Sequence, residues 1–77
     1  MVKPTRVTNS IRALRFAHGE MTQAELAERI GMTRQTVIAI EQGRYSPSLE
    51  VAFQIARVIK VPLDGVFHYP GPEEEES

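Results

Sequence analysis

Two helix starts separated by a single glycine restrict this chain more than any other feature. Thr22 and Glu25 form the T-x-x-E pattern of a capping box, and Met21 before it can close on Leu26 as a hydrophobic staple. Ala24, Leu26, Ala27 and Ile30 then predict a buried face, and Gly31 breaks the run with the permissive backbone that a tight turn requires. A second helix opens almost at once. Thr33 can cap it by accepting from N–H groups two and three residues on, Met32 and Val37 repeat the staple around that cap, and Gly43 supplies a left-handed stop. Ala27 lies four residues before Gly31, Val37 six after it and Ile40 nine after it. A small residue at Ala27 lets the second helix cross closely, while Val37 and Ile40 lock the crossing from the other side.

Such a pair is a helix-turn-helix motif, and its second helix, TRQTVIAIEQG from Thr33 to Gly43, carries an anchor and a probe. Val37 and Ile40 share the anchoring face. Arg34, Gln35 and Thr36 crowd the first turn with hydrogen-bonding groups suited to base edges and phosphates. The planar fork of Arg34 matches guanine O6 and N7, and the amide of Gln35 matches adenine in the same two-point manner. The plainer reading of these three residues is a solvated helix face.

Charge alone does not suggest nucleic acid. The formal net charge is -1, but four of the ten acids are Glu73 to Glu76, and residues 1 to 72 carry nine basic against six acidic side chains, a surplus of +3. That is modest beside strongly basic nucleic-acid binders. Seventy-seven residues leave room for one domain, near the lower limit for a self-sufficient core. No apolar run approaches the roughly 20 residues that a membrane helix needs. With no cysteine and no apolar leader in MVKPTR, a reducing cytoplasm is the expected setting.

The remainder reads as support. Residues 1–7, with Lys3, Pro4 and Arg6, predict a loose arm, and the domain spans 8–69. A first helix is expected from Thr8, with Ile11, Leu14 and His18 on one stripe, Arg12 and Phe16 off it, and Gly19 as its stop. His18 and His68 have no companions spaced to complete a metal site, so no metal or cofactor is expected. After the RYSPS loop, Ser48 can cap a fourth helix over 49–60, whose Leu49, Ala52, Phe53, Ile55, Ala56 and Ile59 exceed a single amphipathic stripe. Val61, Pro62 and Leu63 lead into a short fifth helix with Val66 and Phe67, and residues 70–77 form an acidic tail expected to be solvated disorder.

The run TQAELAERIGMTRQTVIAIEQGRYSPSLEVAFQIARVIKVPLDGVF resembles the Cro/C1-type helix-turn-helix family, also called the XRE family, and the match covers Ile11 to Phe67. The resemblance is to small stand-alone members and implies an all-α, five-helix, lambda-repressor-like domain acting as a transcriptional regulator, commonly on operator DNA as a dimer. It implies a phosphate contact at Gln23, which the free N–H groups of a helix start also favour. Base reading is implied at Arg34, Gln35, Thr36, Ile38 and Ala39, next to the Thr33 cap, and backbone contacts at Arg44 and Tyr45. Tyr45 reads equally well as a packed loop aromatic. An ion pair between Arg15 and Glu41, linking the first and third helices, is implied too. Two departures stand out: the interval from Arg15 to Thr22 is one residue longer than usual, and Ile38 and Ala39 replace polar side chains, so that Ile38 would meet a thymine methyl.

One short reading helix spans only a few base pairs, which predicts a homodimer. Phe53, Val58, Val66 and Phe67 are the candidates for its interface. The rival reading is a protein-interaction module, antitoxin-like or co-activator-like, using Phe53, Val58 and Phe67 to hold another protein. No nucleophile with its base and no phosphate-cradling glycine loop is present, which argues against an enzyme. No small-molecule effector is expected either.

Overall fold

In the computed structural model, which describes residues 6–70, the expected helix ends are built by local hydrogen bonds. Helix α1 spans Ile11–Ala17, α2 Gln23–Arg29, α3 Arg34–Glu41, α4 Leu49–Ile59 and α5 Leu63–Val66. The Thr22 hydroxyl accepts the Glu25 N–H at 3.0 Å while the Glu25 carboxylate accepts the Thr22 N–H at 2.9 Å, a complete capping box. These bonds, that to the Thr22 backbone first, hold the exposed Glu25 carboxyl below its ordinary value, with Arg29 adding to the effect. The box therefore strengthens α2 at neutral pH and is lost as pH falls through the lowered value. Thr33 and Ser48 cap α3 and α4 by accepting from Thr36 and Val51 at 3.2 Å each.

The stops that end α2 and α3 are of one kind. Gly31 and Gly43 sit at φ +70° and +74°. Around Gly43, its own N–H donates to Ile40 O at 3.1 Å and the Arg44 N–H to Ala39 O at 3.0 Å, and the equivalent pair closes α2 through Gly31 and Met32. Each stop is a Schellman motif, which satisfies carbonyls that a helix end otherwise leaves free. The connection between α1 and α2 uses the same backbone region. Gly19 and Glu20 lie consecutively at φ +71° and +57°, returning Met21 to the core.

Lys60 ends α4 at φ +65°, a conformation that costs an L-residue roughly 1–2 kcal/mol. Replacing Lys60 with glycine removes that strain at some entropic cost in the unfolded chain. The expected net gain is about 1 kcal/mol, raising Tm by about 4–8 °C in thermal unfolding.

Ile11, Leu26, Val37, Ile40, Ile55 and Val66 are the largest fully buried side chains, one or more from every helix. They form one core with Met21, Ala27, Ile30, Ala56 and Ile59, against which Met32, Val58 and Phe67 pack at its edge. Three expectations are corrected here. Ala24 is exposed, the buried side of α2 being made by Leu26, Ala27 and Ile30. The first helix does not start at Thr8: Thr8–Asn9 form strand β1, antiparallel to strand β2 at Phe67–His68, with Thr8 opposite His68 and Asn9 opposite Phe67. Phe67 consequently belongs to β2 and not to the fifth helix. The Ser10 N–H extends this link by donating to Val66 O at 2.9 Å. Of the expected arm and tail, residues 1–5 and 71–77 lie outside the described residues.

Candidate nucleic-acid interface

Helix α3 buries one side and leaves the other open. Val37 and Ile40 are 1% and 2% exposed, so the helix can present only the opposite side outward. Arg34 and Gln35 stand there exposed, and their side chains meet no hydrogen-bonding or charged partner among the described residues. Thr36, Ile38 and Ala39 are half-buried beside them. Thr33 is occupied as the cap, and its hydroxyl also lies 3.0 Å from that of Thr36. Gln35, Thr36 and Ala39 join Met32 and Tyr45 around a shallow, mostly apolar hollow of about 410 Å³. Tyr45 and Arg44 are exposed in the loop after α3.

A second group lies where α1, α2 and α3 meet. Arg15 donates through Nε to Glu41 Oε2 at 2.7 Å and through Nη2 to Oε1 at 3.1 Å, a two-point pair with both side chains under one-tenth exposed. Its third bond goes from Nη1 to Met21 O at 2.8 Å. Gln23 Nε2 also donates to Glu41 Oε1, at 3.1 Å. One carboxylate thus holds the end of α1 and the first residue of α2 against the end of α3. The bond from Gln23 to Glu41 has no local sequence signal. It leaves the Gln23 carbonyl and one N–H unused by that bond, at the edge of a groove of about 510 Å³ that Arg12, Phe16 and Gln42 also line.

The four interface candidates separate. Phe53 is 54% exposed on α4, one turn from Leu49 at 67%. Val58 and Phe67 are half-buried against the core. Val66 is 0% exposed and has no surface to offer a partner. Val66 packs into the core at the end of α5, where its carbonyl accepts the Ser10 N–H, which corrects the expectation for Val66.

Among the described residues no helix is long and apolar enough to cross a membrane. The helix-turn-helix family model matches residues 11–66. A relative in Methanocaldococcus jannaschii, called an uncharacterized HTH-type transcriptional regulator, is 43% identical over 65 residues, covering 84% of this chain and 97% of its own. Another of that description in Bacillus subtilis is 42% identical over 59 residues, 77% of this chain and 88% of its own. Among solved structures, a hypothetical transcription factor from Neisseria superposes with a TM-score of 0.66 at 27% identity, covering 86% of this chain and 72% of its own. A Bacteroides fragilis chain shares the fold at TM-score 0.70 and 22% identity, over 80% of this chain and 98% of its own. The chain belongs to the helix-turn-helix family, in its Cro/C1-type or XRE form. Members of this family are non-enzymatic DNA-binding regulators of transcription, and this chain is one of them.

Proposed function

We propose that the chain is a cytoplasmic repressor that binds an inverted-repeat operator as a homodimer, with α3 in the major groove. The observation that carries the reading is the exposed Arg34–Gln35 turn, whose side chains have no partner among the described residues, on a helix whose other side is locked into the core. Arg34 and Gln35 read guanine and adenine edges, Ile38 and Ala39 offer apolar contact to a thymine methyl, and Thr33 and Thr36 line the approach. Gln23 and Arg44 hold phosphates, with Tyr45 beside them, and so fix the register without carrying sequence information. Repression needs no more than occupancy, because a dimer seated across two grooves already blocks other proteins from that DNA.

The test is selection of bound sites from random duplex DNA, followed by titration of two variants. Arg34→Ala is expected to cost about 1–3 kcal/mol and to relax preference at one base pair. Arg44→Ala should weaken all sequences alike and lower the salt slope by about 1. Equal weakening of every sequence by Arg34→Ala would remove Arg34 from base reading. Absence of any selected site, together with a stable complex between this chain and another protein, would favour the protein-interaction module instead.

A further inference from the structure

The Asn9 side chain makes two bonds, to two different helices. Its Oδ1 accepts the N–H of Ile11, the first residue of α1, at 3.2 Å. Its Nδ2 donates to the carbonyl of Ile40, in the last turn of α3, at 2.9 Å. That carbonyl already accepts the Gly43 N–H of the Schellman stop, so Asn9 takes its second lone pair. The backbone of Asn9 is held as well, opposite Phe67 in the two-stranded sheet. A carboxamide is the side chain that carries a donor and an acceptor on one short planar group. Only one of its two orientations serves both partners here, with oxygen toward the N–H and nitrogen toward the carbonyl.

We infer that Asn9 is a positioning residue for the DNA-reading helix: it sets the tilt of α3 by tying its C-terminal end to the start of α1 and to the sheet. Val37 and Ile40 hold α3 through apolar contacts, which are non-directional, whereas a hydrogen bond fixes a distance and an angle. The Arg15–Glu41 pair restrains one side of the helix end, and Asn9 restrains the backbone itself, one residue earlier. The leverage is large. Arg34 lies six residues from Ile40, about 9 Å along the axis, so a rocking of about 6° at Ile40 moves the Arg34 backbone by about 1 Å. A two-point contact with a base edge tolerates a displacement of only about 0.5 Å. Phosphate contacts from long side chains tolerate more. Losing the tie therefore erodes discrimination between sequences before it erodes binding itself.

This inference rests on the reading of α3 as the base-reading helix, and its test keeps the two apart. Asn9→Asp and Asn9→Ser both keep an acceptor for the Ile11 N–H; the carboxylate has no donor for Ile40 O, and the serine O–H sits one bond closer to the backbone than the Asn9 amide nitrogen and falls short of that carbonyl. Ile11→Val destabilises the same region with the tie intact. Each full-length variant is titrated against a selected site and an unrelated duplex, well below its melting temperature. Both Asn9 variants should lose at least fivefold in the ratio of the two affinities through weaker site binding, with non-specific binding and its salt slope unchanged. Ile11→Val should keep the ratio of the unaltered protein. A ratio within twofold of the unaltered protein in both Asn9 variants overturns the positioning role, as does an equal loss in Ile11→Val. If the unaltered protein prefers no sequence, the base-reading assignment itself falls and takes this inference with it.

Discussion

Glu41→Ala is expected to remove about 3–5 kcal/mol of folding stability without deleting a group that reaches DNA. The carboxylate receives three donors, two from Arg15 and one from Gln23. Its removal leaves the Arg15 guanidinium, 6% exposed, with the Met21 carbonyl as its remaining hydrogen-bond acceptor among the described residues. The pair itself adds little net stability, since desolvating both charges offsets most of their attraction; the cost comes from stranding one of them. Domains of this size have little to spare against such a loss. Urea unfolding of Arg15→Ala, Glu41→Ala and the double variant should show a coupling well above the ~0.2–1 kcal/mol of exposed pairs. Replacing the pair together, as Arg15→Met with Glu41→Leu, should be less damaging than Glu41→Ala alone. Additive losses in the cycle would show that the two side chains stabilise the fold independently.

What could be read from the residues divides by distance along the chain. The Thr22–Glu25 box, the Thr33 and Ser48 caps and the stops at Gly31 and Gly43 each depend on residues a few positions apart, so their chemistry is written locally. The exposed Arg34–Gln35 turn followed from the same local logic, because burying Val37 and Ile40 decides which side of an eight-residue helix faces out. Pairing of Thr8 with His68 joins positions 60 apart, and no periodicity in two-residue strands announces it. The Val66 expectation failed for a related reason, since its place in the core and its bond from Ser10 depend on contacts far apart in the chain. Ala24 marks a different limit: alanine is equally at home on either side of a helix, so a stripe argument cannot place it. Asn9 did carry a cue, an Asn two residues before the first apolar helical position, where its side chain can bond its own backbone. The same side chain's bond to Ile40 spans 31 residues and could be seen only in the fold.

The second large effect concerns the oligomer. Phe53→Glu is expected to leave a folded monomer that binds its operator at least about 10²-fold more weakly. Folding should be nearly unaffected, since Phe53 is 54% exposed and forms no part of the buried core. Val66 can no longer contribute, and Val58 and Phe67 offer only edges. Of the four candidates Phe53 is the exposed one, and with its neighbour Leu49, 67% exposed, it offers a second copy an apolar patch on α4. Introducing a carboxylate there sets two like charges near the symmetry axis of any dimer built on this patch, which opposes association twice over. A single α3 reads only a few base pairs, and specific binding commonly exceeds non-specific binding by ~4–10 kcal/mol, so losing one of two half-sites forfeits a large share of the discrimination. Two-fold symmetry also fixes the DNA: half-site centres about 34–36 Å apart, roughly 10–10.5 base pairs, on an inverted repeat. Sedimentation at micromolar concentration, combined with footprinting on a selected site, reads both quantities. An unaltered chain that sediments as a monomer and protects one half-site would overturn the dimer. A dimer that survives Phe53→Glu would place the interface elsewhere on the chain.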